Sequence, residues 1–277
     1  MAFRTRSERI NDRVELHEGV PQHLRESLVS VVLALVHGVD GFNRQMAVAL
    51  ELESGVGGLL KAGCLVDNGL EERNFSENLR RFDAEFLLPI LDAVVRCDRH
   101  SADRINQIFQ QGSSIYEVRT VQLQGEAIRA IERRVSSEVA TVEEQIGDWR
   151  VRRELAAARS AIFGLTADYV QGLHHGVKAV ENSACGIVEP NNAKSTLGRV
   201  AKALEVNQGG VFSARIGTTK EISSMCALLW DTERRHRHGG EAEREPDLPT
   251  REEAEAAYSL VVLLSDWFTR GVIFRRS

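Results

Sequence analysis

Cysteine is scarce, and Cys64, Cys97, Cys185 and Cys226 are too scattered to form a C-x-x-C pair. That spacing excludes a zinc ribbon, and a chain of 277 residues does not call for a disulfide framework. No apolar run reaches the roughly 18 residues of a membrane span. The start, Met1-Ala-Phe-Arg-Thr-Arg, has no apolar signal core. The expectation is a soluble cytoplasmic protein with no membrane partner. Lysine is also rare: Lys61, Lys178, Lys194, Lys202 and Lys220 are the only five, and the other basic residues are arginine. A formal net charge of −5 argues against wholesale coating of nucleic acid and leaves room only for a local basic patch. There is no G-x-S-x-G and no dinucleotide fingerprint, so hydrolase and Rossmann folds have no support. The segment 191–198 (NNAKSTLG) lacks a glycine before Lys194 and has no strand ahead of it. It reads as a loop and helix start, not a P-loop.

Helical periodicity dominates what remains. Leu24, Leu28, Val31, Val32 and Leu35 mark a first helix opened near Pro21, and a second is expected over Phe42–Leu52. Phe75, Leu79, Phe82, Phe86, Ile90 and Val94 mark a long helix that Pro89 should kink or split. Ser101 opens the next, through Phe109. Residues 114–123 alternate and are β-prone, which predicts a small hairpin. From Gly125 onward the spacing of Ile128, Ile131, Val135, Val139, Val142 and Ile146 predicts helix, followed by an Ala-rich helix from Trp149 to Phe163. The fold class is therefore mostly α, with a helical N-terminal region over 1–147 and a C-terminal helical bundle over 148–277.

The C-terminal region holds the chemistry. One helix, Asp168 to Ile187, has the core stripe Val170, Leu173, Val177, Val180, Ala184 and Ile187. Beside it runs a polar ridge of Gln171, His174, Lys178, Glu181 and Cys185, spaced by three and four so that all share one face. A short helix follows around Leu197–Leu204. Thr218 with Glu221 forms a capping box for a helix with core stripe Ile222, Met225, Leu229 and Thr232. Thr250 with Glu253 opens a last helix, apolar nearly all round, fit for a bundle centre or a dimer interface.

Between these last two helices lies Asp231-Thr-Glu-Arg-Arg-His-Arg-His-Gly-Gly240. Guanidinium groups present planar forks that hold phosphate, and imidazole moves protons near neutral pH. The same residues also suit a solvated helix end, where cations meet the dipole favourably. The ridge likewise admits two readings: solvent-side pairs, or a polar face turned toward the helix end that bears His238. Metal binding by His174, His175, His236 and His238 is disfavoured. Adjacent His-His and H-x-H lack i, i+4 spacing, and no acid or Cys ligand stands beside them. No metal and no cofactor is expected.

In their shared order, Ala179-Val-Glu181, Ser195-Thr-Leu-Gly198, Arg237-His-Gly239 and a closing hydrophobic helix resemble the C-terminal half of AbiJ-type abortive-infection proteins. Residues 3–9 with Leu24-Arg25, and 105–108 with 116–118, resemble that family's opening elements and its helix-plus-hairpin. The resemblance implies an AbiJ-type N-terminal region and a C-terminal HEPN-like bundle in a phage-defence protein. HEPN domains are often homodimers, and the active ones are metal-independent ribonucleases. Carried over by position, Arg237 and His238 match the Arg-His motif and Glu181 the carboxylate of the Ala-Val-Glu helix. Arg234, Arg235, His236, Lys178 and His174 would then line the RNA. His238 would serve as general base on the 2′-OH or as general acid on the leaving 5′-oxygen, with Glu181 fixing its tautomer and Arg237 stabilising phosphoryl charge. One departure stands out: the nuclease motif has Arg five to seven residues before its His, and here Asp231, Thr232 and Glu233 hold those positions. The alternative is a non-catalytic HEPN-like module that binds a nucleotide, nucleic acid or partner protein. Expected partners are RNA, a second copy of the chain, and an antitoxin or a phage-derived trigger.

Overall fold

A computed structural model describes residues 20, 22–38, 41–60, 68–123, 126–192, 194–237 and 248–276; the side chains at 68–71, 84, 85, 122, 123, 126 and 237 fall outside the description. The architecture is mostly α: eleven α-helices and three two-stranded sheets among the described residues. None of the described helices is long and apolar enough to cross a membrane. Two compact units form, one from residues 1–120 and 127–134, the other from 121–126 and 135–277.

The first unit contains α1 (Gln22–Val36), β1 (His37–Gly38), β2 (Gly41–Phe42), α2 (Arg44–Ser54), α3 (Asn68–Arg81), α4 (Ala84–Cys97) and α5 (Arg99–Gln111). Asn43 caps α2 by accepting from Met46 N, and Gly55 closes it in the left-handed region. The expected long helix through Phe75 and Val94 is two helices, and the break falls at 82–83, upstream of Pro89, which α4 carries inside it. Asp83 takes the N-cap position of α4 without a side-chain cap bond, and its carbonyl accepts the N–H groups of Phe86 and Leu87 at 3.1 and 3.0 Å. The next helix likewise starts two residues before Ser101, because the Asp98 carboxylate accepts the Ser101 N–H at 2.6 Å. Phe3–Arg9 lies outside the described residues.

The strand content is larger than expected. β3 (Tyr116–Leu123) pairs with β4 (Glu126–Arg133), which replaces the helix anticipated from Gly125. Ile128 and Ile131 satisfy a helical i, i+3 spacing, yet only two residues separate β4 from a ready strand partner, and such a short connection favours a hairpin. Asp92, buried on α4, accepts the Ile131 N–H at 2.7 Å and is also paired with Arg96. Burial pushes the Asp92 carboxyl up, against the lowering effect of that N–H and of Arg96.

The second unit is built from α6 (Ser137–Gln145), α7 (Trp149–Phe163), α8 (Tyr169–Val188), α9 (Leu197–Val206), α10 (Thr219–Arg237) and α11 (Arg251–Thr269). Short antiparallel strands β5 (Phe212–Ala214) and β6 (Ile273–Arg275) pair with Phe212 opposite Arg275. The helix Ser137–Gln145, on the N-terminal side of a division at 147, packs within this unit through its contacts with α11. Both capping boxes form: Thr218 with Glu221, and Thr250 with Glu253. Helices α8 and α11 are central, each packing on several others. Tyr258, Val261, Leu264 and Phe268 of α11 are buried, which places it at the bundle centre. Gly172 and Gly176 permit this density. A Cβ at Gly172 would lie 2.3 Å from Ile162 of α7, and one at Gly176 would lie 3.0 Å from Val261 of α11. The buried Arg159 guanidinium, 2.8 Å from Glu143, ties α7 to α6.

Candidate functional site

The polar ridge of α8 meets α10 through one defined contact. His174 Nδ1 lies 3.1 Å from Glu233 Oε1, and the Glu233 side chain is only 2% exposed. Glu233 is five residues before His238, so the ridge and the last turns of α10 lie together. His238 itself lies outside the described residues, as does the Arg237 side chain. Arg234 and Arg235 are exposed at the end of α10.

His236 departs from the expected solvent-facing role: it is buried. The buried stripe of α10 runs Ile222, Cys226, Leu229, Glu233, His236, stepping by four, three, four and three. The stripe anticipated through Thr232 is therefore rotated by one residue, and Thr232 instead returns its hydroxyl to the Leu228 carbonyl at 2.8 Å. The Thr250 N–H is the largest cause holding the Glu253 carboxyl of the α11 capping box below its ordinary value, and the charges of His236 and Arg235 act in the same direction.

The His238 imidazole that Glu181 is expected to orient lies outside the described residues, and Glu181 caps a neighbouring helix. Its Oε1 accepts the N–H of Leu197, the first residue of α9, at 2.8 Å. Thr196 occupies the N-cap position without a side-chain cap bond, so Glu181 supplies the cap from a neighbouring helix. Burial pushes its carboxyl up; the Leu197 N–H opposes this, the charge of Glu233 adds to it, and His174 and Lys178 oppose it again. His174, Lys178, Glu181 and Glu233 thus share one electrostatic neighbourhood.

Two buried carboxylates stand out in the structure: Glu154, unnamed among the sequence candidates, and Glu233, named there only as holding a position of the missing arginine. Glu154 of α7 is buried and meets His175 Nδ1 at 2.9 Å and Arg153 at 2.7 Å. Burial raises the Glu154 carboxyl, but His175 and Arg153 outweigh it and hold the group below its ordinary value. Glu154 and Glu233 share a signal: each is an acid interrupting an apolar stripe at helical spacing, Val151–Glu154–Leu155–Ala158 and Leu229–Glu233–His236. A charge in such a position needs a partner, and both found a histidine of the His174-His175 pair on α8.

Lys178, Glu181, Arg153, Asn182, Glu189 and Ser195 border an open groove of about 530 Å³ between α7, α8 and the loop into α9. The Glu189 carboxylate organises that loop, accepting from Ser195 Oγ at 2.5 Å and Asn192 Nδ2 at 3.0 Å. Burial pushes the Cys185 thiol up, which disfavours it as a thiolate nucleophile. Among the described residues no group of three or more His, Cys, Asp or Glu is placed to hold a metal ion. Comparison with family models, with curated proteins and with solved structures finds no match to this chain.

Proposed function

We propose that the second unit is a HEPN-like module of an abortive-infection protein of AbiJ type, and that it cleaves RNA without a metal ion. The observation that carries this reading is the His174–Glu233 contact, which draws the α8 ridge against the helix turn leading into Arg234, Arg235, Arg237 and His238. In this scheme His238 exchanges a proton with the 2′-OH or the leaving 5′-oxygen, and Arg237 with Arg234 or Arg235 stabilises the phosphoryl oxygens. RNA carries its own nucleophile, so the reaction requires no metal. A homodimer formed through the bundle would double the basic patch across a two-fold axis and offset the acidic total. An antitoxin or phage-derived trigger would control it in the cytoplasm.

A second reading, binding of RNA or a nucleotide without cleavage, is favoured by Glu233. A buried carboxylate stands where the nuclease motif has an arginine, and its negative charge opposes phosphate. Incubation of the protein with total cellular RNA in EDTA, beside a folded His238→Ala variant, separates the two. Cleavage by the parent alone is the expected result. Intact RNA with both proteins would leave the binding module, and cleavage by both would remove His238 from the site.

A further inference from the structure

A second groove, of about 420 Å³, lies between α9 and α10 on the face of the unit that leads along α10 toward Arg234. Its rim carries Arg199, Lys202 and Lys220, three exposed cations, against the carboxylates of Glu205 and Asp231. Lys202 is paired with Glu205 at 2.8 Å. Arg199 makes no ion pair with a described residue, and Lys220 only acts at a distance on Glu205. Among the described residues these two cations have no carboxylate within ion-pair distance, in a chain that has just five lysines and an acidic total.

The wall of the groove includes one aromatic side chain, Trp230. Trp230 is half-buried and nests against α9 at Gly198, where a Cβ would lie 2.7 Å from its Nε1. Only the missing side chain at Gly198 lets the indole sit there, which gives the Thr-Leu-Gly turn a physical reason. Lys220, Ser224, Ala227 and Asp231 follow each other at three- and four-residue steps on α10, and Arg234 and Arg235 continue the series at the helix end.

We propose that this α9–α10 groove is a binding subsite for single-stranded RNA. Arg199 and Lys220 take the phosphates, the indole of Trp230 carries a base, and Asp231 accepts from a base amine or a ribose hydroxyl. The combination of backbone-tracking cations with an aromatic surface distinguishes single strands from duplexes, whose bases are not free to stack on protein. The strand then runs along α10 to the Arg/His end. The subsite rests on RNA being the substrate or ligand of the proposed module, but not on catalysis.

The test uses the full-length chain carrying His238→Ala, so that the probe survives, and a fluorescein-labelled single-stranded oligoribonucleotide read by anisotropy at several salt concentrations. Arg199→Gln with Lys220→Gln, both at exposed positions, should weaken binding by about tenfold or more at low salt and reduce the log–log salt slope by about 1.4, roughly 0.7 per lost phosphate contact. Trp230→Leu should weaken binding about tenfold with the slope unchanged, and Trp230→Phe should restore most of it. Unchanged affinity in the double variant, equal affinity for a duplex of the same sequence, equal competition by inorganic polyphosphate, or no binding by the His238→Ala parent would each overturn the subsite. If the double variant loses binding while His238→Ala still cleaves RNA, the groove stands and the catalytic assignment falls. If cleavage depends on His238 and the double variant binds normally, the reverse holds.

Discussion

Glu181 offers the sharpest separation of architecture from chemistry, because its carboxylate caps α9 and also borders the candidate site. Replacing it with alanine removes the acceptor for the Leu197 N–H. Loss of an N-terminal cap costs about 1 kcal/mol, and for a unit of this size each such unit lowers Tm by roughly 2–4 °C. Replacing it with glutamine keeps a carbonyl oxygen for the same N–H and removes the charge. Burial raises the Glu181 carboxyl, so the folded state holds its proton more tightly than the unfolded chain does. Stability from that proton is full below the unfolded pKa of about 4.3 and is lost as pH rises through the folded value. Glutamine does not titrate. The Tm of Glu181→Gln minus that of the parent should therefore be smallest in acid and should widen in favour of glutamine as pH climbs from that value toward neutrality. The assay is tryptophan fluorescence during heating at several pH values. Trp149, Trp230 and Trp267 all belong to the second unit, so the signal reads that unit alone. A Tm difference that does not change with pH would refute the assigned burial of the charge. A glutamine variant as unstable as the alanine variant at every pH would refute the capping role. If Glu181→Gln folds normally yet abolishes RNA cleavage, the carboxylate has a chemical role as well.

Other outcomes follow from packing and burial. Gly172→Ala should destabilise the second unit by roughly 1–3 kcal/mol, since its Cβ would fall 2.3 Å from Ile162. Gly186→Ala, with open space around it on the same helix, should stabilise by up to about 1 kcal/mol; thermal or urea denaturation reads both signs. Cys226 is fully buried with its thiol pushed up to about 12, so a maleimide at pH 8 should leave it unmodified in the native protein and label it in guanidinium, as peptide mass mapping will report.

Much of the second unit is legible in the sequence. The capping boxes at Thr218 and Thr250, the middle of the α8 core stripe (Leu173, Val177, Val180 and Ala184) and the apolar last helix all arise from residues within a few positions of each other, and each formed where its pattern lies. At the ends of that stripe Val170 and Ile187 are only half-buried, and Val188 is buried. The failures are non-local. Ile128 and Ile131 carry a helical spacing, but a neighbouring strand claimed them. The α10 stripe passes through Glu233 and not Thr232, because a buried acid is tolerable once His174 supplies its partner from another helix. Apolar periodicity alone assigns such an acid to the surface.

The sequence by itself determined the mostly helical class, the caps and the clustering of arginine and histidine at the end of α10, since these depend on local propensity and on 3.6-residue geometry. Tertiary structure alone decided which polar groups meet. It sent His174 to Glu233 and His175 to Glu154, gave Glu181 to the N–H of Leu197, buried His236, and opened a groove beside Trp230 at the one position where α9 lacks a side chain. Those pairings depend on the packing of α8 against α7, α10 and α11. Interhelical packing joins residues tens of positions apart, and no periodicity within one helix encodes them.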